Sequence, residues 1–190
     1  MVWGVLLGRL YYVVGLLLSR FGVHPNYFTV VGLLLALFAP VAAYFGFGFV
    51  AIFLMSLSAL FDVLDGLVAR VSGLVSRVGA FLDSFSDRVS DASYILVLGL
   101  LGVDFRLCYM LLALSFLVSY ARARGEGLGL VLKGVGLVER QERVLALIVI
   151  SIVALYNLWL ATIMVVGLVI LTFITVAQRV MVIVNSLKSS

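Results

Sequence analysis

Cysteine, histidine and proline are almost missing from this 190-residue chain, which holds one Cys, one His and two Pro. The single cysteine, Cys108, excludes an intramolecular disulfide and a thiolate metal cluster. Its expected role is packing within a helix. The single histidine, His24, opens the first long apolar run and is not read as a substrate contact. Of the two prolines, Pro40 falls inside an apolar run and is expected to kink it. Charge is scarce as well. Charged residues make up 12% of the chain and apolar residues 65%, at a mean hydropathy of +1.29. A soluble domain of this size needs far more polar surface, so the composition indicates a membrane protein.

The apolar runs pass the length test, because about 20 helical residues cross a hydrocarbon core. They predict an all-α integral membrane protein with six transmembrane helices at roughly 27–45, 48–68, 80–102, 107–124, 142–157 and 159–182. Residues 1–21 are oily but interrupted by Arg9 and Arg20. With Trp3, Tyr11 and Tyr12 they suit an N-terminal helix lying in the interface. No small-residue cleavage site follows this run, so it is not read as a signal peptide. The whole chain, 1–190, is expected to be a single domain, with the six-helix bundle at 27–182. Every basic residue except Arg106 falls before the first span, after an even-numbered span, or on a helix end adjoining those segments. That asymmetry puts both termini and the loops at 69–79 and 125–141 in the cytoplasm. The formal net charge of +4 is thereby gathered at one membrane face, where it attracts anionic head groups or substrates. No nucleic-acid partner is expected.

Against this background, "FDVLDGLVARVSGLVSRVGAFLDSFSD" (61–87) places four aspartates within 26 positions. An ionised carboxylate at membrane depth costs on the order of 3 kcal/mol even on a lenient scale. Four together repel one another and need cations or a watery cleft. Asp62, Asp65 and Ala69 are spaced 3 and 4 apart, one stripe at the end of the second span. Gly79, Asp83, Asp87 and Asp91 are each 4 apart, one stripe at the start of the third. The loop between is short, so the two helices are antiparallel neighbours whose acidic faces can meet. Such an oxygen-rich pocket matches hard divalent cations, Mg2+ or Mn2+. No His or Cys lies nearby to favour zinc. A structural ion network with Arg70, Arg77 and Arg88 is the competing reading, and Asp91 alone suits such a role. A carrier with an aspartate relay is a further alternative, although its acidic residues would be spread across the membrane rather than gathered near one face.

The spacing Asp62-x2-Asp65-Gly66-x2-Ala69-Arg70-x8-Gly79-x3-Asp83-x3-Asp87 resembles the signature of the CDP-alcohol phosphotransferase family at all eight fixed positions. The resemblance implies that an alcohol attacks the β-phosphorus of a CDP-linked lipid and CMP leaves. It implies that Asp62, Asp65 and Asp83 are metal ligands, that Asp87 is a ligand, the general base or both, and that the ions number two. Gly66 and Ala69 would leave room for the nucleotide, with Asp62 beside it, and Arg70 would pair with phosphate. "HPNYFTVVG" resembles the family segment that opens the first span. There Asn26 and Thr29 would reach the nucleotide, or one of them would cap the helix.

"SDRVSD" (86–91), "SYARARGEGLG" (119–129) and "GLVERQERV" (136–144) are similar to the prokaryotic inositol-phosphate branch of that family. The position of Arg122 is often Lys in this branch, and that of Gln141 is often Pro. Arg122, Arg124, Arg140, Arg143 and Arg179 form a basic set that free inositol would not need. A phosphorylated acceptor would need it, since guanidinium groups bind a phosphate dianion through bidentate bonds. Glu139 and Glu142 are expected to pair with neighbouring arginines. The branch implies CDP-diacylglycerol or CDP-archaeol as donor, inositol 1-phosphate as acceptor and surrounding membrane lipids as partners. It also implies a homodimer in the cell membrane with its active site facing the cytoplasm. The alternative acceptor is glycerol 3-phosphate.

Overall fold

The computed structural model describes residues 24–74, 76–132 and 134–188. The expected interfacial helix at 1–21 lies outside the described residues. Among the described residues there are six helices and no strand: α1 (Pro25–Tyr44), α2 (Gly48–Ser72), α3 (Arg77–Leu100), α4 (Phe105–Glu126), α5 (Arg140–Ala154) and α6 (Leu158–Lys188). Four of them, α1, α2, α4 and α6, are long and apolar enough to cross a membrane. The other two differ for separate reasons. α3 carries Arg77, Asp83, Asp87, Arg88 and Asp91 in its first fifteen residues. α5 has 15 residues, about 22 Å of helix at 1.5 Å per residue, against a hydrocarbon core of about 30 Å.

α1 begins at Pro25, whose missing N–H would have no helical partner anyway. The Asn26 N–H donates to His24 Nδ1 at 3.3 Å, so the cap is His24 rather than Asn26 or Thr29. α1 continues through Pro40 to Tyr44 and buries a stripe of small residues, Thr29, Gly32, Ala36, Ala39 and Ala43. Small side chains let membrane helices approach closely. At Gly32 the limit is reached: an added Cβ would lie 3.2 Å from Phe61 Cβ and 3.4 Å from the Ser58 carbonyl.

The α2–α3 connection sets the acidic faces against each other. Gly73 ends α2 in the left-handed region at φ 67°, where a side chain would be strained. Ser76 then starts α3, its Oγ accepting from the Gly79 N–H at 2.9 Å. At the opposite end of the bundle Asp104 caps α4, accepting from the Arg106 backbone at 2.8 Å and pairing with its guanidinium at 2.6 Å. Those hydrogen bonds, the side-chain ones foremost, hold the Asp104 carboxyl down to about 2. The one basic residue outside the basic face thus carries its own counter-charge.

Apolar residues both fill the interior and coat the exterior. Met55, Tyr94, Leu98, Leu111, Leu147, Ile150 and Val165 form part of one core, while Phe38, Phe53, Tyr109, Trp159 and Phe173 are exposed. A coat of this kind suits a lipid solvent and would be a liability in water. Some polar groups inside are satisfied locally. Ser151 and Thr172, for example, donate to the carbonyls of Leu147 and Leu168 one turn back.

Candidate active site

α2 and α3 bring together the carboxylates of Asp62, Asp83 and Asp87, one oxygen of each lying within 4.8 Å of the others. Asp65, one turn beyond Asp62, is buried and held separately: the Thr29 hydroxyl of α1 donates to its Oδ2 at 2.6 Å. Arg140, the first residue of α5, reaches into the cluster. Its Nη1 lies 2.7 Å from Asp62 Oδ2 and 2.8 Å from Asp87 Oδ1, and its Nε lies 3.3 Å from Asp91 Oδ1. The N–H is not aimed at Asp87 Oδ1, so that oxygen is buried with no hydrogen bond despite the short ion-pair distance.

This donor set fits a hard divalent cation. All of its ligand atoms are carboxylate oxygens, three carboxylates face a single guanidinium, and one buried oxygen has no hydrogen bond. Of the arginines in the competing ion-network reading, Arg88 alone forms an ion pair among the described residues, with Nη1 3.5 Å from Asp87 Oδ2. That contact is long, and the same nitrogen donates to the Ser84 carbonyl at 2.6 Å.

Beside the aspartates lies a cleft of about 250 Å3 lined by Asn26, Thr29, Asp65, Gly66, Ala69, Arg70, Gly79 and Asp83, among others. The two glycines serve it differently. A Cβ at Gly66 would meet only Arg70 Nη2, at 3.7 Å, so a side chain there has room and would take it from the cleft. A Cβ at Gly79 would crowd Ser76 Oγ at 3.1 Å and Asn26 Oδ1 at 3.2 Å.

The profile of the CDP-alcohol phosphatidyltransferase family matches residues 22–174, a stretch that holds both acidic stripes, the cleft and α5. The chain belongs to this family. It is similar to the archaetidylinositol phosphate synthase of Aeropyrum pernix, 39% identical over 90% of this chain and 88% of that protein. The fold is similar to that of Mycobacterium tuberculosis phosphatidylinositol phosphate synthase with CDP-DAG bound. The TM-score is 0.77 at 28% identity, covering 92% of this chain and 94% of that one. A second structure of the same mycobacterial enzyme, in complex with manganese and citrate, gives a TM-score of 0.76 at 28% identity over 91% and 88% of the two chains.

In this member of the CDP-alcohol phosphatidyltransferase family, the five arginines expected to form one basic set occupy different environments. Arg140 joins the aspartates. Arg143, one turn on, is fully buried; its Nη2 donates to Asp91 Oδ2 at 2.7 Å, while Nε and Nη1 have no partner. Arg179 is buried and donates Nε to the Val135 carbonyl at 2.9 Å and Nη1 to that of Val118 at 2.8 Å. Arg122 pairs with Glu126 at 2.8 Å, and Arg124 is exposed. The pairing expected for Glu139 and Glu142 is not found among the described residues; Glu139 accepts instead from the Gly134 N–H at 2.8 Å.

Asp91, expected to suit a structural ion pair with Arg70, Arg77 or Arg88, is 2% exposed and ties Arg140 and Arg143 together instead. One feature was missed in the sequence. A chain of hydroxyls runs beneath the cluster: Tyr94 donates to Ser58 Oγ at 2.7 Å, and Ser58 donates to the Gly32 carbonyl at 2.6 Å. No spacing rule marks that chain.

Proposed function

We propose that this protein transfers the phosphatidyl or archaetidyl group of a CDP-linked lipid to inositol 1-phosphate. CMP is released and an inositol-phosphate lipid is formed. The observation that carries the reading is the meeting of Asp62 from α2 with Asp83 and Asp87 from α3 beside a cleft lined by Asn26, Thr29, Gly66 and Arg70. The related enzymes named for inositol phosphate lipids support the acceptor.

Asp62, Asp65, Asp83 and Asp87 would hold two divalent cations, Mg2+ or Mn2+. Such ions neutralise a diphosphate and ease departure of its leaving oxygen. The residues of the chain do the rest. Asn26, Thr29, Gly66, Ala69 and Arg70 cradle the nucleotide and its phosphates. The Asp87 carboxylate takes the proton from the acceptor hydroxyl, whose oxygen bonds to the β-phosphorus as the phosphorus–oxygen bond to CMP breaks. Arg140 and Arg143, with Arg122, Arg124 and Arg179, supply positive charge for the acceptor's phosphate.

In this reading all six helices cross the membrane, α3 and α5 within the bundle, with both termini and the cleft on the cytoplasmic side of the cell membrane. The chain is a single domain and pairs as a homodimer. Purified protein with Mg2+ or Mn2+, CDP-archaeol or CDP-diacylglycerol and labelled acceptor should release CMP with inositol 1-phosphate and not with free inositol. Equal or faster turnover with glycerol 3-phosphate overturns the acceptor. Asp87→Asn should lower turnover by about 10²–10⁴-fold while CDP-lipid binding persists. Loss of both would mark Asp87 as chiefly a metal ligand.

A further inference from the structure

Below the three carboxylates, between α1, α2 and α3, lies a small, partly enclosed cell of about 10 Å3 that shares Thr29 and Asp65 with the nucleotide cleft. Its lining is polar: Thr29, Ser58, Asp62, Asp65, Ser86 and Ser90, with Gly32 and Leu33. Ser86 and Ser90 are 7% and 5% exposed, sit one turn apart on α3, and neither hydroxyl has a hydrogen-bond partner among the described residues. Neither oxygen is among the fully enclosed side-chain atoms without a partner, so each hydroxyl stays open to a water, and polar groups in interiors are normally satisfied by protein or by ordered water. The opposite wall is fixed. Ser58 Oγ accepts from Tyr94 and donates to the Gly32 carbonyl, so its remaining lone pair is turned to no donor. Asp65 Oδ2 accepts from Thr29, leaving its second oxygen uncommitted to that bond.

We propose that this cell is a binding site for one water molecule that joins the Ser86 and Ser90 hydroxyls to the inner oxygens of Asp62 and Asp65. Ser86 and Ser90 are then positioning residues for the cation site. The volume is about what one water requires, and the lining offers more than the two to four polar partners such a water needs. A carboxylate has two oxygens, and a ligand whose outer oxygen faces an ion keeps its orientation only if the inner one is held. Groups of this kind behind metal ligands commonly change metal affinity about 10- to 100-fold. The small residues of α1 keep the cell small, because Gly32 lets the helix approach until its backbone reaches Ser58.

The inference rests on the cation reading of the aspartates, and the test separates the two. Mn2+ affinity of the purified protein is measured by electron paramagnetic resonance for wild type, Asp83→Asn and the double variant Ser86→Ala/Ser90→Ala, alongside thermal unfolding. The expected result is that wild type binds Mn2+, Asp83→Asn loses it, and the serine double variant binds about tenfold or more weakly with an intact fold. Either single serine variant should fall between. Unchanged Mn2+ affinity in the double variant, with or without a drop in melting temperature, overturns the proposal, since a packing role moves only the latter. Wild type failing to bind Mn2+ takes down the cation reading and this proposal together. A crystal structure then identifies the occupant. Density 2.7–3.0 Å from the serine hydroxyls, the ordinary hydrogen-bond range, supports water; an empty cell, or an ion at shorter coordination distances, overturns it.

Discussion

Replacing Asp91 by alanine tests how the arginine side of the site is built. Arg143 is fully buried, and its one polar contact is Nη2 to Asp91 at 2.7 Å; Nε and Nη1 have none. Without Asp91 the whole guanidinium is left buried and uncompensated. Breaking a buried ion pair by removing one partner costs about 3–5 kcal/mol. Arg140 adds less, since its contact with Asp91 is 3.3 Å and it keeps Asp62 at 2.7 Å. At about 2–4 °C per kcal/mol for a chain of this size, melting in detergent should fall by about 6–20 °C. The KM for the acceptor should rise while that for CDP-lipid changes little. Asp91→Ala with Arg143→Met removes both charges and should recover most of the lost stability. A fall in melting temperature under about 2 °C for the single variant, or a double variant no more stable than the single, would refute this account of the pair.

Thr29→Val removes the 2.6 Å hydrogen bond to Asp65 while keeping the shape of the side chain. A bond to a charged group is worth about 1.5–3 kcal/mol, so Mn2+ affinity by titration should drop about ten- to a hundredfold. Arg179→Ala should raise the acceptor's KM tenfold or more, read from CMP release. It should also destabilise the protein, because the carbonyls of Val118, buried, and Val135, half-buried, lose the Arg179 donors. A lower melting temperature with an unchanged KM would leave Arg179 a purely structural residue.

The helices were legible because turns interrupt the apolar runs sharply. The runs at 27–45, 48–68 and 107–124 correspond to α1, α2 and α4 with small shifts at their ends. Boundaries moved where capping, not hydropathy, decides. α3 starts at Arg77 because Ser76 caps it, three residues ahead of the predicted 80. α5 stops at Ala154 although the apolar run continues, because the chain turns at Asn157, whose side chain accepts from the Leu160 N–H. α6 runs on to Lys188 since nothing in its polar last turns breaks a helix.

The acidic stripes could be read from their 3- and 4-residue spacing, a local property of two adjacent helices. The partners of those stripes could not. Arg140 is 78 positions from Asp62 and 49 from Asp91, and Thr29 is 36 from Asp65. Contacts of that separation depend on how helices pack, so a charge count grouped Arg140 and Arg179 as one basic set. Packing divides them, sending Arg140 to carboxylates and Arg179 to backbone carbonyls.

The central claim is that carboxylates from α2 and α3 jointly hold divalent cations against the diphosphate of a CDP-linked lipid. Equilibrium binding of a CDP-lipid to the purified protein, with and without Mn2+, tests it most directly when wild type is compared with Asp62→Asn and Asp83→Asn. The account predicts that Mn2+ strengthens binding to wild type by tenfold or more, and that either single substitution, one on each helix, abolishes the enhancement. Equal CDP-lipid affinity with and without the metal, or an enhancement that survives both substitutions, would contradict it.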